Sequence, residues 1–164
     1  MLRMRKHSMN DEKFMRLAIK KTREGIRQGQ APFGACIVRK GKVVVCMHNS
    51  VLKNTDITRH AEINAIGQAC KKLGKIDLSD CVIYSTTEPC PMCVSACHWA
   101  RIPKIFYGTR IGDSAKYGFD EWPIPDAKMV ALGKTRVELK KDFLRKECLE
   151  LFSEWSKKKA ARAY

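Results

Sequence analysis

His60-Ala61-Glu62 and, about thirty residues later, Pro89-Cys90-Pro91-Met92-Cys93 supply the residue types of a hydrolytic metal site. His60, Cys90 and Cys93 offer three soft or borderline donors that suit zinc and leave a tetrahedral ion one position for water. Glu62 stands two residues beyond a donor and is surplus to the set, so it is free to carry protons between water and a leaving group. A Cys-x-x-Cys alone reads equally well as a redox pair or as two core cysteines, and a His-x-Glu alone as a solvated stretch of helix. Found together, in this order and each at a predicted helix start, they point to one zinc ion per chain. A structural zinc site is closed and would show a fourth Cys or His nearby. His98 is the only candidate and falls on a different helical face, which disfavours an RNA-binding module with a purely structural metal.

The elements that must position these groups follow from periodicity. Phe14, Leu17, Ala18 and Ile26 are spaced as on a helix over 11–28, with Asn10 or Asp11 to cap it and Gly25 and Gly29 near its end. The runs 35–39 and 42–47 are β-rich and joined by Lys40-Gly41, a hairpin signal. A polar loop is expected over 49–58, a helix over 61–73 closed by Gly74, and a buried strand over 81–86. A helix over 91–100 carries proline in its first turn, where proline is tolerated. A strand over 104–107 ends at Gly108, 112–126 reads as irregular, 136–140 as a fifth strand, and 142–159 as a long amphipathic helix built on Leu144, Cys148, Leu151, Phe152 and Trp155. This order predicts an α/β domain of three layers, a five-stranded mixed sheet with helices on both faces. It also brings two helix starts to one point, where their positive ends favour thiolate, and leaves a backbone N–H near Glu88–Cys90 as an extra donor.

The chain has 164 residues, enough for one domain with a real core, and no apolar run long enough to span a bilayer. Residues 1–9 are basic without a following apolar stretch, so they read as a short disordered extension rather than a secretory signal, with the domain proper at 10–164. Cys36, Cys46, Cys70, Cys81, Cys97 and Cys148 occur singly within apolar elements and are expected as buried thiols, which implies a reducing, cytoplasmic home. The net charge of +15 is either an electrostatic footprint for RNA or a solubilising surface. Lys and Arg are spread along the chain and do not alternate with exposed aromatics, which favours the solvated surface.

A His-x-Glu followed by Pro-Cys-x-x-Cys is the signature of zinc nucleobase deaminases. From about Asp11 to Tyr164 the chain resembles the cytidine-deaminase-like superfamily, and within it the bacterial guanine deaminases. Besides the zinc motifs, the resemblance rests on Pro32-Phe33-Gly34-Ala35, His48-Asn49, Trp99-Ala100-Arg101, Tyr117-Gly118-Phe119-Asp120-Glu121, and Phe152-x-x-Trp155 followed by Tyr164. It implies a cytidine-deaminase-like fold, hydrolysis of guanine to xanthine and ammonia, and a homodimer whose C-terminal segment closes the active site, in the partner if the segment is swapped. It further implies that Asn49 hydrogen-bonds the purine and that Phe33 and Trp99 wall the ring. Glu121, where some relatives have Asp, becomes a second carboxylate at the 2-amino group, and Tyr164 a lid. The alternative is a tRNA adenosine deaminase, which the charge and Lys157-Lys158-Lys159 favour, followed by a guanosine or cytosine deaminase.

Overall fold

In the computed structural model, which describes residues Met9–Tyr164, alternate side chains of the central strands enter two separate cores. Cys36, Val38, Tyr84 and Phe106 face one layer, where they meet Phe14, Met15, Ile19, Leu151, Phe152 and Trp155. Ala35, Ile37, Ile83, Ile105 and Tyr107 face the other and meet Ala61, Ala65, Ala69 and Cys97. The helices that supply these partners are α1 (Met9–Arg27) and α7 (Arg145–Ser156) on the first face, and α3 (Ala61–Leu73) and α4 (Pro91–Trp99) on the second. The expected three-layer architecture is therefore present.

The sheet runs in the order β2 (Lys42–His48), β1 (Gly34–Arg39), β3 (Cys81–Thr87), β4 (Lys104–Thr109), β5 (Glu138–Lys140). β1 is antiparallel to both of its neighbours, whereas β3, β4 and β5 are mutually parallel, so the sheet is mixed as predicted. Lys40 and Gly41, with φ of 48° and 71°, form the tight turn of the β1–β2 hairpin. No helix among the described residues is long and apolar enough to cross a membrane. The basic extension expected at residues 1–9 lies outside the described residues except for Met9, which opens α1.

Several boundaries depart from the sequence reading for identifiable reasons. β4 continues through Gly108, because that glycine is where α7 packs closest: a Cβ there would sit 2.3 Å from Cys148 Sγ. The last helix starts at Arg145 rather than 142, since Asp142 and Leu144 are held at φ of 56° and 49°. Three short helices lie in stretches without apolar periodicity: α2 (Val51–Asn54), α5 (Ile111–Ala115) and α6 (Asp126–Leu132). Cys36 and Cys46, expected as separate thiols, are joined in a disulfide. They stand directly opposite each other in the β1–β2 register, with Cα atoms 4.1 Å apart, a pairing that residue types alone do not reveal. Cys81, Cys97 and Cys148 are buried free thiols, and Cys70 is partly buried.

Candidate active site

The two metal-binding motifs occupy equivalent positions on two neighbouring helices. His60 is the residue that caps α3 and Cys90 the residue that caps α4, and both have extended backbones at ψ near 156° and 167°. A side chain at such a position ordinarily turns back to accept from the first helical N–H groups. Neither His60 nor Cys90 makes a capping hydrogen bond, so both project away from their helices. Pro91 suits the first position of α4, where no N–H is needed, and fixes the turn that delivers Cys93 three residues after Cys90.

His60 Nδ1, Cys90 Sγ and Cys93 Sγ form a triangle with all three edges at 3.6 Å. A tetrahedral zinc with ordinary Zn–S and Zn–N bonds sets these edges at about 3.8 Å for S···S and about 3.6 Å for N···S. The donor set and its spacing thus fit a zinc ion with one position left for water, and His60, Cys90 and Cys93 are the only such cluster among the described residues. The Cys90 thiol is drawn down to about 4, because Cys93 donates a hydrogen bond to it and His60 lies beside it. The Cys93 thiol is held well above its ordinary value by the same contact and by burial. Burial disfavours a charged His60, but the Cys90 sulfur and Glu62 outweigh it and raise the imidazole pKa.

Glu62 is buried in the first turn of α3, and burial raises its pKa despite the nearby His60. One of its oxygens lies 2.7 Å from Ser85 Oγ on β3, and the other 3.5 Å from Cys93 Sγ. Ser85 Oγ is also 2.7 Å from the carbonyl of Thr87. A hydroxyl has a single hydrogen. With Glu62 ionised, Ser85 donates to the carboxylate; with Glu62 protonated, Glu62 donates to Ser85, which turns its hydrogen to Thr87 O. The carboxyl keeps a partner in both protonation states, as a proton carrier requires.

These groups open on a cavity of about 600 Å³ lined by Phe33, His60, Glu62, Cys90, Glu121 and Tyr164, with an outer rim of Ile57, Met92 and Trp122. Gly118, at φ of 92°, turns the chain out of α5 and sends Phe119 into the core, where its ring meets Phe33 edge-on at 4.8 Å. Two residues later Glu121 enters the cavity wall, 3.3 Å from Ser114 Oγ. Burial, with the Cys90 sulfur and Glu62 close by, pushes the Glu121 carboxyl up to about 7. Tyr164 closes the group from the tail, its ring centroid 6.4 Å from that of His60 and 5.6 Å from that of Phe119. Its carbonyl accepts from Asp120 N at 3.2 Å, so here the tail lies across the cavity of its own chain.

Two residues singled out from the sequence are placed elsewhere. Trp99 is 85% exposed and lines a separate shallow groove with His98. It lies nine residues beyond Cys90 in the sequence, which along a helix is about 13 Å from the metal end. Asn49 is fully buried behind the cavity wall: its Nδ2 donates to the Tyr164 hydroxyl at 2.6 Å, and its Oδ1 accepts from Val51 N. Its amide therefore bears on the cavity through Tyr164. Ser85, Ser114 and Glu88 were not assigned roles from the sequence. A serine directly after the apolar run 81–84, still within the strand, is the one visible signal.

Comparison with known proteins is consistent with this site. Residues 8–109 match the cytidine and deoxycytidylate deaminase zinc-binding region. The chain is 44% identical over 114 residues to a guanine deaminase of Bacillus subtilis (strain 168), a match covering 69% of this chain and 73% of the relative. It is 30% identical over 152 residues to a tRNA-specific adenosine deaminase of Buchnera aphidicola subsp. Schizaphis graminum, covering 93% of this chain and 97% of the relative. A solved guanine deaminase from Nitrosomonas europaea superposes with a TM-score of 0.81 at 28% identity, over 88% of this chain and 83% of the other.

Proposed function

The chain belongs to the cytidine and deoxycytidylate deaminase family of zinc-binding hydrolytic enzymes, and within that family we propose that it converts guanine to xanthine and ammonia. The observation that carries this reading is a second carboxyl, Glu121, in the wall of the cavity that holds Glu62 and is covered by Tyr164. A cavity with a lid suits a small planar ring, and two carboxyls suit a reaction that moves protons at more than one nitrogen.

His60, Cys90 and Cys93 would hold the zinc, which when bound would supply the Lewis acid that brings water to a nucleophilic state near neutral pH. Glu62 takes the proton that water loses as its oxygen bonds to the ring carbon bearing the amino group. Glu62 then gives that proton to the amino nitrogen, which leaves as ammonia, so one water is consumed for each ammonia released. Glu121, with a carboxyl titrating near 7, is suited to hold or release a proton at the 2-amino group. Phe33 walls the ring, Tyr164 excludes water, and Asn49 orients the Tyr164 hydroxyl. A homodimer is part of this reading, with the tail covering the site of its own chain or of the partner.

A tRNA adenosine deaminase is the second reading, favoured by the relative that spans nearly the whole chain and by the net charge of +15. Ammonia release measured side by side on guanine, guanosine, cytosine and a tRNA anticodon stem-loop separates the two. Guanine is expected to be turned over fastest, with xanthine as product and little change in kcat/KM between low and physiological salt. Preference for the stem-loop, with a steep loss of rate as salt rises, would replace this reading with the second, since phosphate contacts are salt-sensitive.

A further inference from the structure

Glu88 is buried where β3 ends, two residues before Cys90, and besides its contact with the Asp126 carboxyl each of its oxygens accepts a backbone N–H. One accepts the backbone N–H of Ile111 at 3.2 Å and the other the backbone N–H of Asp126 at 3.0 Å. Those residues are the first of α5 and the first of α6, so one carboxylate ties down both ends of the segment that carries Phe119, Glu121 and Trp122. The Glu88 N–H in turn donates to Thr109 O at 2.7 Å, which fixes Glu88 to the end of β4. From α5, Ser114 Oγ reaches the Glu121 carboxyl. The segment has no regular structure between Lys116 and Pro125, and besides these contacts its path is held by the core seat of Phe119, the stacking of Tyr117 on Phe152 and the hydrogen bond from Asp120 N to Tyr164 O.

We infer that Glu88 is a positioning residue for the reaction: it sets the placement of Glu121 relative to the metal ligands by clamping the two backbone N–H groups that bracket the Glu121 segment. It needs no contact with substrate to do so. Both of its oxygens are occupied, one by each backbone donor, and a carboxylate is an acceptor at both of its terminal atoms. Glutamine of the same shape turns one acceptor into an NH2 group that faces an N–H, leaving a buried backbone donor unpaired.

This inference rests on Glu121 taking part in the reaction, and the test separates the two. In Glu88→Gln, zinc is expected to stay at one per chain, hydrogen exchange across 111–126 to speed up, and kcat to fall roughly tenfold, the scale set by small misplacements of a reacting group. In a Glu121→Gln background, the same Glu88→Gln change is expected to alter kcat by less than about twofold, since coupled residues do not add. Additive losses in the double variant, or unchanged exchange over 111–126, would overturn the inference. Wild-type turnover in Glu121→Gln alone would remove the role of Glu121 and with it the catalytic purpose of the clamp, whereas the exchange data would still report whether the clamp exists. If Glu88→Gln loses zinc, Ile111→Pro takes its place in the cycle. It deletes one clamped N–H at a first helical position, where proline is tolerated, behind an Arg110 already extended at ψ 163°. The same faster exchange and the same non-additivity with Glu121→Gln are expected, and their absence would overturn the inference.

Discussion

The metal side of the cavity and its outer wall are held in different ways. On the metal side, His60, Glu62, Cys90 and Cys93 stand in the first turns of two helices whose bodies are buried against the sheet, and their positions follow from helix geometry. On the outer side, Glu121 and Tyr164 come from an irregular segment and a tail. They are fixed by a few hydrogen bonds, Ser114 to Glu121 and both Asn49 and Asp120 N to Tyr164, and by the ring of Phe119, while Trp122 at the rim remains 72% exposed. Chemistry shared across the family belongs on the rigid side, where a shift of a few tenths of an ångström would disrupt the metal triangle. On the proposed reading, choice of base falls to the outer side, whose loop and tail residues lie outside the metal cluster.

That contrast can be broken at its strongest point first. Cys90→Ala or Cys93→Ala is expected to abolish both zinc binding and turnover, and metal analysis showing full zinc retention would disprove the ligand assignment. Deleting Ala160 to Tyr164 is expected to leave zinc content intact and lower guanine turnover by about an order of magnitude or more, the scale of losing a closing lid. Full activity in the truncated protein would show that the outer wall works without the tail.

A smaller effect is expected from Asp126, buried beside Glu88 with its Oδ1 accepting from the Tyr107 hydroxyl at 3.2 Å. Burial, and then the Glu88 carboxyl, push its pKa from 3.8 up to about 7. The folded protein therefore binds this proton more tightly than the unfolded chain does. The stability it contributes is full below about pH 4 and is lost as pH rises through 7. Asp126→Asn keeps the shape without the titration, so its Tm relative to the parent should rise between pH 5 and pH 8. The expected size is a few degrees, which corresponds to about 1 kcal/mol in a chain of this length. Parallel Tm profiles would show that Asp126 does not hold a proton in this range. The smallest effect is expected from Trp99→Ala: exposed and remote, it should change guanine kcat/KM by less than about twofold and stability by less than about 0.5 kcal/mol. A large rise in KM would place Trp99 at the site after all, through contacts this single chain does not make.

The same division decides what was legible in the sequence. The clustering of His60, Cys90 and Cys93 with Glu62 beside them could be read because their spacing is local and each motif opens a helix. The five strands and the two-faced packing followed from apolar runs and turn residues. Asn49 acts on the cavity through a residue 115 positions away, a link that no local pattern carries. Trp99 was placed at the cavity wall by resemblance, but the length of α4 takes it to the far end. The helices α5 and α6 are too short for periodicity to show, and Ser85 and Glu88 matter only through partners on other elements, Glu62 of α3 for Ser85 and the first residues of α5 and α6 for Glu88. The Cys36–Cys46 disulfide depends on hairpin register, which residue types left open.

The most direct test of proton transfer at a rigid metal site is Glu62→Gln, assayed for metal content and guanine turnover on the same preparation. Zinc at one per chain with turnover lowered about 10²- to 10⁴-fold is the expected result, because the substitution removes a proton carrier and leaves every ligand in place. Turnover near the parent rate with zinc retained would contradict it and assign proton transfer to another group in the cavity.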